Sequence, residues 1–438
     1  MDQRAGIALA RFGLGAAPGD LARIASDPRG WLHQQVRPGV AQHALLARER
    51  TTEEGVALNL SVRQAKMDRD ERNMRQRDRR DAFLHDMTRR CLVRASTKEP
   101  FVERWVAFWS NHFTVSYTRN DVLSLAGPFE REAVRPHVFG TFEDLLLNVA
   151  RHPAMLVYLD NIRSIGPTSQ AGRRKSRRGL NENFARELLE LHTLGVRAGY
   201  SQDDVIALAK ILTGWSVDPN ARTFRFYADR HEPGTKTLLG ERYPATGHDE
   251  GVRALKTLAH HRSTAAHIAT KLARHFVADK PPQAAVDALT HVFLNTRGDL
   301  TALAHAVIDL PQAWETPHTK IRDPDDLVIA TARALGYTQH GEPLLAAMRW
   351  LGQVPHQAPS PKGWPDEGAA WLGPEALISR IEWAEQIARE SQDHVRGPAL
   401  AQALFGDEVP PNLAAAIHNE DRTKGLALLL ASPLFQRR

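Results

Sequence analysis

The chain has one cysteine, Cys91, in 438 residues, so no disulfide can form within it and no cysteine-rich zinc site can be built. A lone thiol suits a reducing compartment. No apolar run approaches the roughly 18–20 residues that a membrane-spanning helix needs. The first residues, Met1-Asp2-Gln3-Arg4-Ala5-Gly6, carry neither the apolar stretch nor the small-residue cleavage site of an export signal, which makes a cytoplasmic location the expectation. Also missing are His-Glu-x-x-His, Gly-x-Ser-x-Gly, a Walker loop, a βαβ series and a repeat of fixed period. Nothing resembles a zinc finger, an RNA-recognition motif or a zipper, and no nucleic-acid partner is expected. The 20 histidines are scattered, as at His260-His261, His267 and His275, without metal-ligand spacing. The sequence therefore assigns no metal site and names no cofactor.

What is present is charge of both signs. The formal balance is +6, and the base is mostly arginine in mixed stretches such as Lys66-Met67-Asp68-Arg69-Asp70-Glu71-Arg72. Mixed sign at helical spacing marks a solvated face. Arg173-Arg174-Lys175-Ser176-Arg177-Arg178 differs in having no acid, and reads as a surface loop, with an anion gate as the alternative.

Hydrophobic periodicity then gives helix after helix: Asp20 to Val36, a long charged helix from about Leu58 to Ser96 with one break at most, Glu99 to Phe113, Phe142 to Ala150, Asn183 to Leu194, Ser201 to Leu212, Ser263 to Val277, and Pro324 to Leu335. Ser201 with Asp204 forms a capping-box pattern, and Gly214 stands where a left-handed residue ends a helix. One stretch breaks the pattern. Thr223 to Tyr227 alternates polar and aromatic residues, Pro233-Gly234 turns, and Thr235 to Leu239 follows. The expectation is a mainly α protein, one large multi-helix domain over residues 1–438, with one small β-hairpin excursion at 221–240. The late run of Pro355, Pro359, Pro361, Trp364 and Pro365 has little backbone freedom to lose, and reads as an ordered loop packed across the domain.

Three segments offer chemistry. On a helical wheel from Asn181 to Gly195, Phe184, Leu188 and Leu191 centre the apolar face, and Glu187 projects from its flank. Asn183 and Glu190 continue that polar strip. A carboxylate held against apolar neighbours either finds donors or has its pKa raised, as a general acid or base requires. In the aromatic segment Val102 to Phe113, His112 falls inside the apolar arc beside Asn111. A buried histidine beside a carboxylate makes a natural acid–base pair, although a core histidine with one hydrogen bond fits the same spacing. Third, His231-Glu232-Pro233-Gly234-Thr235-Lys236 places two ionisable groups and a lysine around a turn.

These segments resemble a bacterial family of unknown function, the domain numbered 1800. The likeness runs from Arg11-Phe12-Gly13-Leu14-Gly15 through Phe108 to Phe113, Met155 to Asn161, Asn181 to Gly195 and Leu212-Thr213-Gly214-Trp215. It closes on Pro359-Ser360-Pro361-Lys362-Gly363-Trp364-Pro365 and Ser432 to Arg437. The resemblance implies one helical fold, frequent export, and genes that neighbour those of a sulfatase-like family; it carries no catalytic residues. Ser110 replaces a histidine of the usual His-Asn-His, Glu232 replaces an aspartate, and a leader is absent. Together these readings predict an enzyme acting on a polar, glycan- or peptide-like substrate. Glu187 and His112 would be catalytic, with Asn111, Asn183, Glu190, His231 and Lys236 binding substrate. The rival is a non-catalytic binding or assembly partner of a sulfatase-like protein.

Overall fold

The computed structural model describes residues 3–62, 68–174 and 179–438. It is mainly α, with two small two-stranded antiparallel sheets. Most of the expected helices appear within a residue or two: Pro100–His112, Phe142–Arg151, Gln202–Ile211, Arg262–Phe276 and Pro324–Leu335. The capping box forms as the sequence suggests, Ser201 accepting from Asp204 N–H while Asp204 accepts from Ser201 N–H. No helix of the described residues is long and apolar enough to cross a membrane.

The first expected helix is two pieces, Asp20–Ile24 and Pro28–His33. Asp27 caps the second piece through Gly30 N–H at 2.8 Å, and Pro28 is at its first position, where a missing N–H costs nothing. The long charged stretch comprises Thr52–Val62 and Arg69–Ser96; residues 63–67 and 175–178, which include part of the basic run, lie outside the described residues.

The excursion is also divided. β1 (Trp215–Val217) pairs with β2 (Phe224–Phe226), and β3 (Lys236–Leu238) pairs with β4 (Glu241–Tyr243). The aromatic run and the lysine run therefore belong to different hairpins. Gly214, at φ +86°, turns the chain into β1, and its carbonyl receives Tyr227 N–H at 2.8 Å.

Buried apolar side chains form two clusters. The larger is built around Trp105, Trp109, Phe113, Phe142 and Phe276. Rings of this size each remove roughly 150–250 Å² from water. The smaller joins Pro324–Leu335 to the C-terminal helices Pro374–Ser391, Gly397–Phe405 and Arg422–Ala431. The helix Arg69–Ser96 serves both, giving Phe83 and Met87 to the first and Cys91 and Ala95 to the second.

Candidate functional site

A cavity of about 180 Å³ opens where the end of the aromatic helix meets Lys271, Arg274 and His275 of Arg262–Phe276, the start of Pro324–Leu335, and the proline-rich loop. The loop is latched by Asn111. Its amide donates to Trp364 O at 2.9 Å, and its side-chain oxygen accepts from Trp364 N–H at 2.8 Å. Tyr117 N–H to His356 O at 2.9 Å and Lys320 Nζ to Asp366 O at 2.8 Å hold the loop elsewhere. Gly363 makes the latch sterically feasible: at φ +84° a Cβ there would lie 2.5 Å from Asn111 O. Gly363→Ala should cost about 1–3 kcal/mol, read by urea denaturation, since both the left-handed backbone and the contact oppose the methyl. A cost below a few tenths of a kcal/mol would mean that the loop is not held this way.

His112 is buried in the cavity wall. Its Nε2 lies 3.2 Å from His192 O, a carbonyl that can only accept, so the proton sits on Nε2. Nδ1 is then a lone pair, and Lys271 Nζ donates to it at 2.9 Å. Burial first, then Lys271, lowers the His112 pKa well below the usual histidine value, so the ring is neutral. Burial also lowers the Lys271 ammonium to about 8, helped by Arg274 and Lys362 and opposed by Asp366.

One helical turn on, His275 Nδ1 is 3.1 and 3.2 Å from the two carboxylate oxygens of Asp366 and donates to them. Its Nε2 is buried without a hydrogen-bond partner. Burial lowers His275 to about 4 despite Asp366, which leaves Nε2 unprotonated. Asp366 stays ionised: burial opposes the charge, but His275, Lys320 and Arg438 outweigh it and hold the carboxyl below the usual range.

A chain of buried ion pairs runs from the cavity wall into the core. Arg135 grips Glu103 at 2.7 and 2.8 Å and donates to Glu130 at 2.9 Å. Glu130 also accepts from Arg90 at 2.9 Å and from Ser110 at 3.2 Å. Arg94 bonds Asp325, and Asp326 accepts from Arg104 at 2.9 Å and Arg322 at 3.1 Å.

The structure brings together only part of the expected site. His112 and Asn111 line the cavity; Glu187, Asn183, Glu190, His231 and Lys236 do not. Glu187 is half-buried and makes no hydrogen bond or ion pair among the described residues, so of the two outcomes open to a carboxylate on that flank it takes the raised pKa and not the donors. Burial and the neighbouring Glu190 raise its pKa, with Arg186 opposing, and the Tyr158 phenol is pushed up to about 12 by burial and Glu187. The reason is local. The helix is α only over Asn183–Glu187 and widens to a π-turn over Leu188–His192. The wider turn shifts the buried face, so Leu189 and His192 enter the core while Leu191 is only partly buried. His192 is fully buried with neither ring nitrogen bonded.

Asn183 is exposed. His231 and Lys236 are buried, in a network centred on Glu250. Glu250 Oε2 lies 2.9 Å from His231 Nε2 and 3.0 Å from Lys236 Nζ, and His231 Nδ1 donates to Thr213 O at 2.9 Å. Glu232 accepts from Thr168 N–H at 2.8 Å. These contacts tie the turn and β3 to the neighbouring helices.

Sequence reasoning passed over Lys271, His275 and Asp366. The i,i+4 spacing of Lys271 and His275 puts them on one helix face and was a usable signal; the link to Asp366, 91 residues away, was not. No group of three or more His, Cys, Asp or Glu among the described residues is arranged to hold a metal ion.

A model of the family described as "Protein of unknown function (DUF1800)" matches residues 7–437. The chain belongs to that family. No curated protein and no solved structure matches it. In this DUF1800 chain the segments that carry the likeness also build the cavity: Phe108 to Phe113 supplies one wall, and Pro359 to Pro365 supplies the loop across it.

Proposed function

We propose that this chain is an enzyme that works by acid–base chemistry on a small polar substrate, with the cavity beside His112, Lys271 and His275 as its active site. One observation carries the reading. His275 is oriented by Asp366 through Nδ1, which leaves a buried, unprotonated Nε2 one helical turn from Lys271 in the wall of the same cavity. A histidine fixed on one nitrogen, with the other unprotonated and unpaired, is how a general base is prepared. Glu187 has no part in this version; its place is taken by Asp366 and Lys271.

The test is turnover of pooled polar metabolites, glycans and peptides, followed by mass spectrometry. His275→Asn keeps a donor toward Asp366 and should reduce consumption of the responding compound by about 10²–10⁴-fold. Its melting temperature should stay near that of the wild type. Equal turnover by wild type and variant would end the proposal.

A second reading has support of its own. Leu377, Ile378, Ile381 and Leu428 are exposed on Pro374–Ser391 and Arg422–Ala431, an apolar strip of the kind that docks partners. A binding or assembly role, such as with a sulfatase-like protein, would use that strip and leave the cavity idle. Ile378→Glu with Ile381→Glu would then abolish association while His275→Asn had no effect.

A further inference from the structure

We infer that Lys271 is an amine nucleophile, and that the cavity takes an anionic aldehyde or ketone which it binds as a Schiff base. The inference rests on the cavity being the active site, and it specifies the substrate class.

Geometry separates Lys271, partly buried in the cavity wall, from the buried lysines. Lys236 is paired with Glu250 at 3.0 Å, and Lys320 with Asp279 at 2.6 Å. Both are paired with carboxylates. Lys271 has no carboxylate within ion-pair distance among the described residues. Its hydrogen bond is to the lone pair of a neutral imidazole, His112 Nδ1, which is itself fixed because Nε2 donates to His192 O. That contact orients the amine without supplying a counter-charge. Arg274 and Lys362, lining the same cavity, add like charge nearby. Desolvation together with an adjacent cation is the arrangement that makes a lysine nucleophilic. A pKa of about 8 leaves roughly one amine in ten neutral at pH 7, against about one in a few thousand for a solvated lysine. Lys362, exposed on the loop, and Arg274, which shares its charge with Glu367 at 3.4 Å, suit a substrate that carries a negative charge beside its carbonyl.

The chemistry needs no further reagent. Neutral Nζ attacks the carbonyl carbon, a C–N bond forms, and the π pair moves to oxygen. A proton passes from nitrogen to that oxygen to give the carbinolamine. The hydroxyl takes up a second proton and leaves as water while the nitrogen lone pair forms the C=N bond, and the protonated imine nitrogen returns its remaining proton, so that the net products are the imine and one water. His275, one turn along the helix, carries the proton between nitrogen and oxygen, with Asp366 positioning its ring.

The experiment treats the full-length folded protein with glyoxylate and cyanoborohydride at pH 7 and maps the modified lysines by peptide mass spectrometry. Lys271 should be carboxymethylated at least about tenfold faster than exposed Lys98 and Lys424. Its rate should climb with pH and level off above about 8. Arg274→Gln with Lys362→Gln should slow labelling several-fold at pH 7 and little at pH 9, since removing the cations lets the ammonium keep its proton. Uncharged propionaldehyde should discriminate less between lysines. A Lys271 rate no faster than that of the exposed lysines overturns the inference. Labelling is read without turnover, so that failure is separate from the outcome for His275→Asn, which judges the acid–base reading.

Discussion

Lowering the pH from 7 to 5 should remove roughly 5 kcal/mol or more of folding stability, a much steeper loss than surface titration gives. Burial holds six histidines neutral in the folded chain. His152 and His192 are lowered to about 3, His267, His275 and His356 to about 4, and His112 is well below the usual value. In the unfolded chain each returns to about 6.5. Folded values below unfolded values mean that unfolding takes up protons, so this stability is fully present above about pH 6.5. It is lost as pH falls toward the folded values, at about 1 kcal/mol per unit for each net proton. Three carboxyls, Asp86, Asp323 and the half-buried Glu187, have raised values and oppose the trend. Burial raises Asp86 and Asp323 to about 6, so both take up protons in the folded state and offset two of the six. Urea denaturation at pH 7, 6 and 5 measures the slope directly. A flat profile across that range would mean that these rings are charged, or reach solvent, in the folded protein.

Arg135→Met should cost about 3–5 kcal/mol, the largest loss expected from a single side chain here. Its guanidinium is 2% exposed and joins Glu103 and Glu130, themselves 5% and 4% exposed. Removing it leaves two buried carboxylates short of a partner. Charge, and not lost packing, should dominate the cost, because methionine fills much of the same volume. Arg135→Met combined with Glu103→Met should therefore recover a good part of the stability. The surface pair Arg186–Glu182, at 3.1 Å and about one-third exposed on each side, provides the contrast, and its loss should cost under about 1 kcal/mol. Chemical denaturation of the three variants tests this. An Arg135→Met cost below about 1 kcal/mol would show that the buried chain carries little stability.

The network and the cavity are one structure. Glu130 bonds Arg90, which lines the cavity together with Arg94 and Asp325. Burial opposes its charge, yet Arg90 and Arg135 hold the Glu130 carboxyl below the usual range. Fixed charges packed this tightly give the cavity walls little freedom to relax, which is what an acid–base site needs of its surroundings.

The sequence by itself determined the helical class, the boundaries of helices such as Pro324–Leu335, the cap at Ser201, the left-handed Gly214, the burial of His112 and the packing of the proline-rich loop. Each of these depends on local spacing or on one residue's backbone preference, and such signals survive in one dimension. Only the tertiary structure decided which polar groups meet. The wheel for Asn181 to Gly195 assumed 3.6 residues per turn, and a π-turn at Leu188–His192 changed the face presented to the core. That moved Glu187 out of the expected partnership and His192 into the core. The strand pairings escaped the sequence for a related reason: three-residue strands carry too few alternating positions to choose their partners. The His275–Asp366 and Lys271–His112 contacts join residues 91 and 159 positions apart, and Arg135 meets Glu103 across 32. Such pairings are set by how helices pack around Trp105, Trp109 and Phe276, and no local pattern in the chain encodes them.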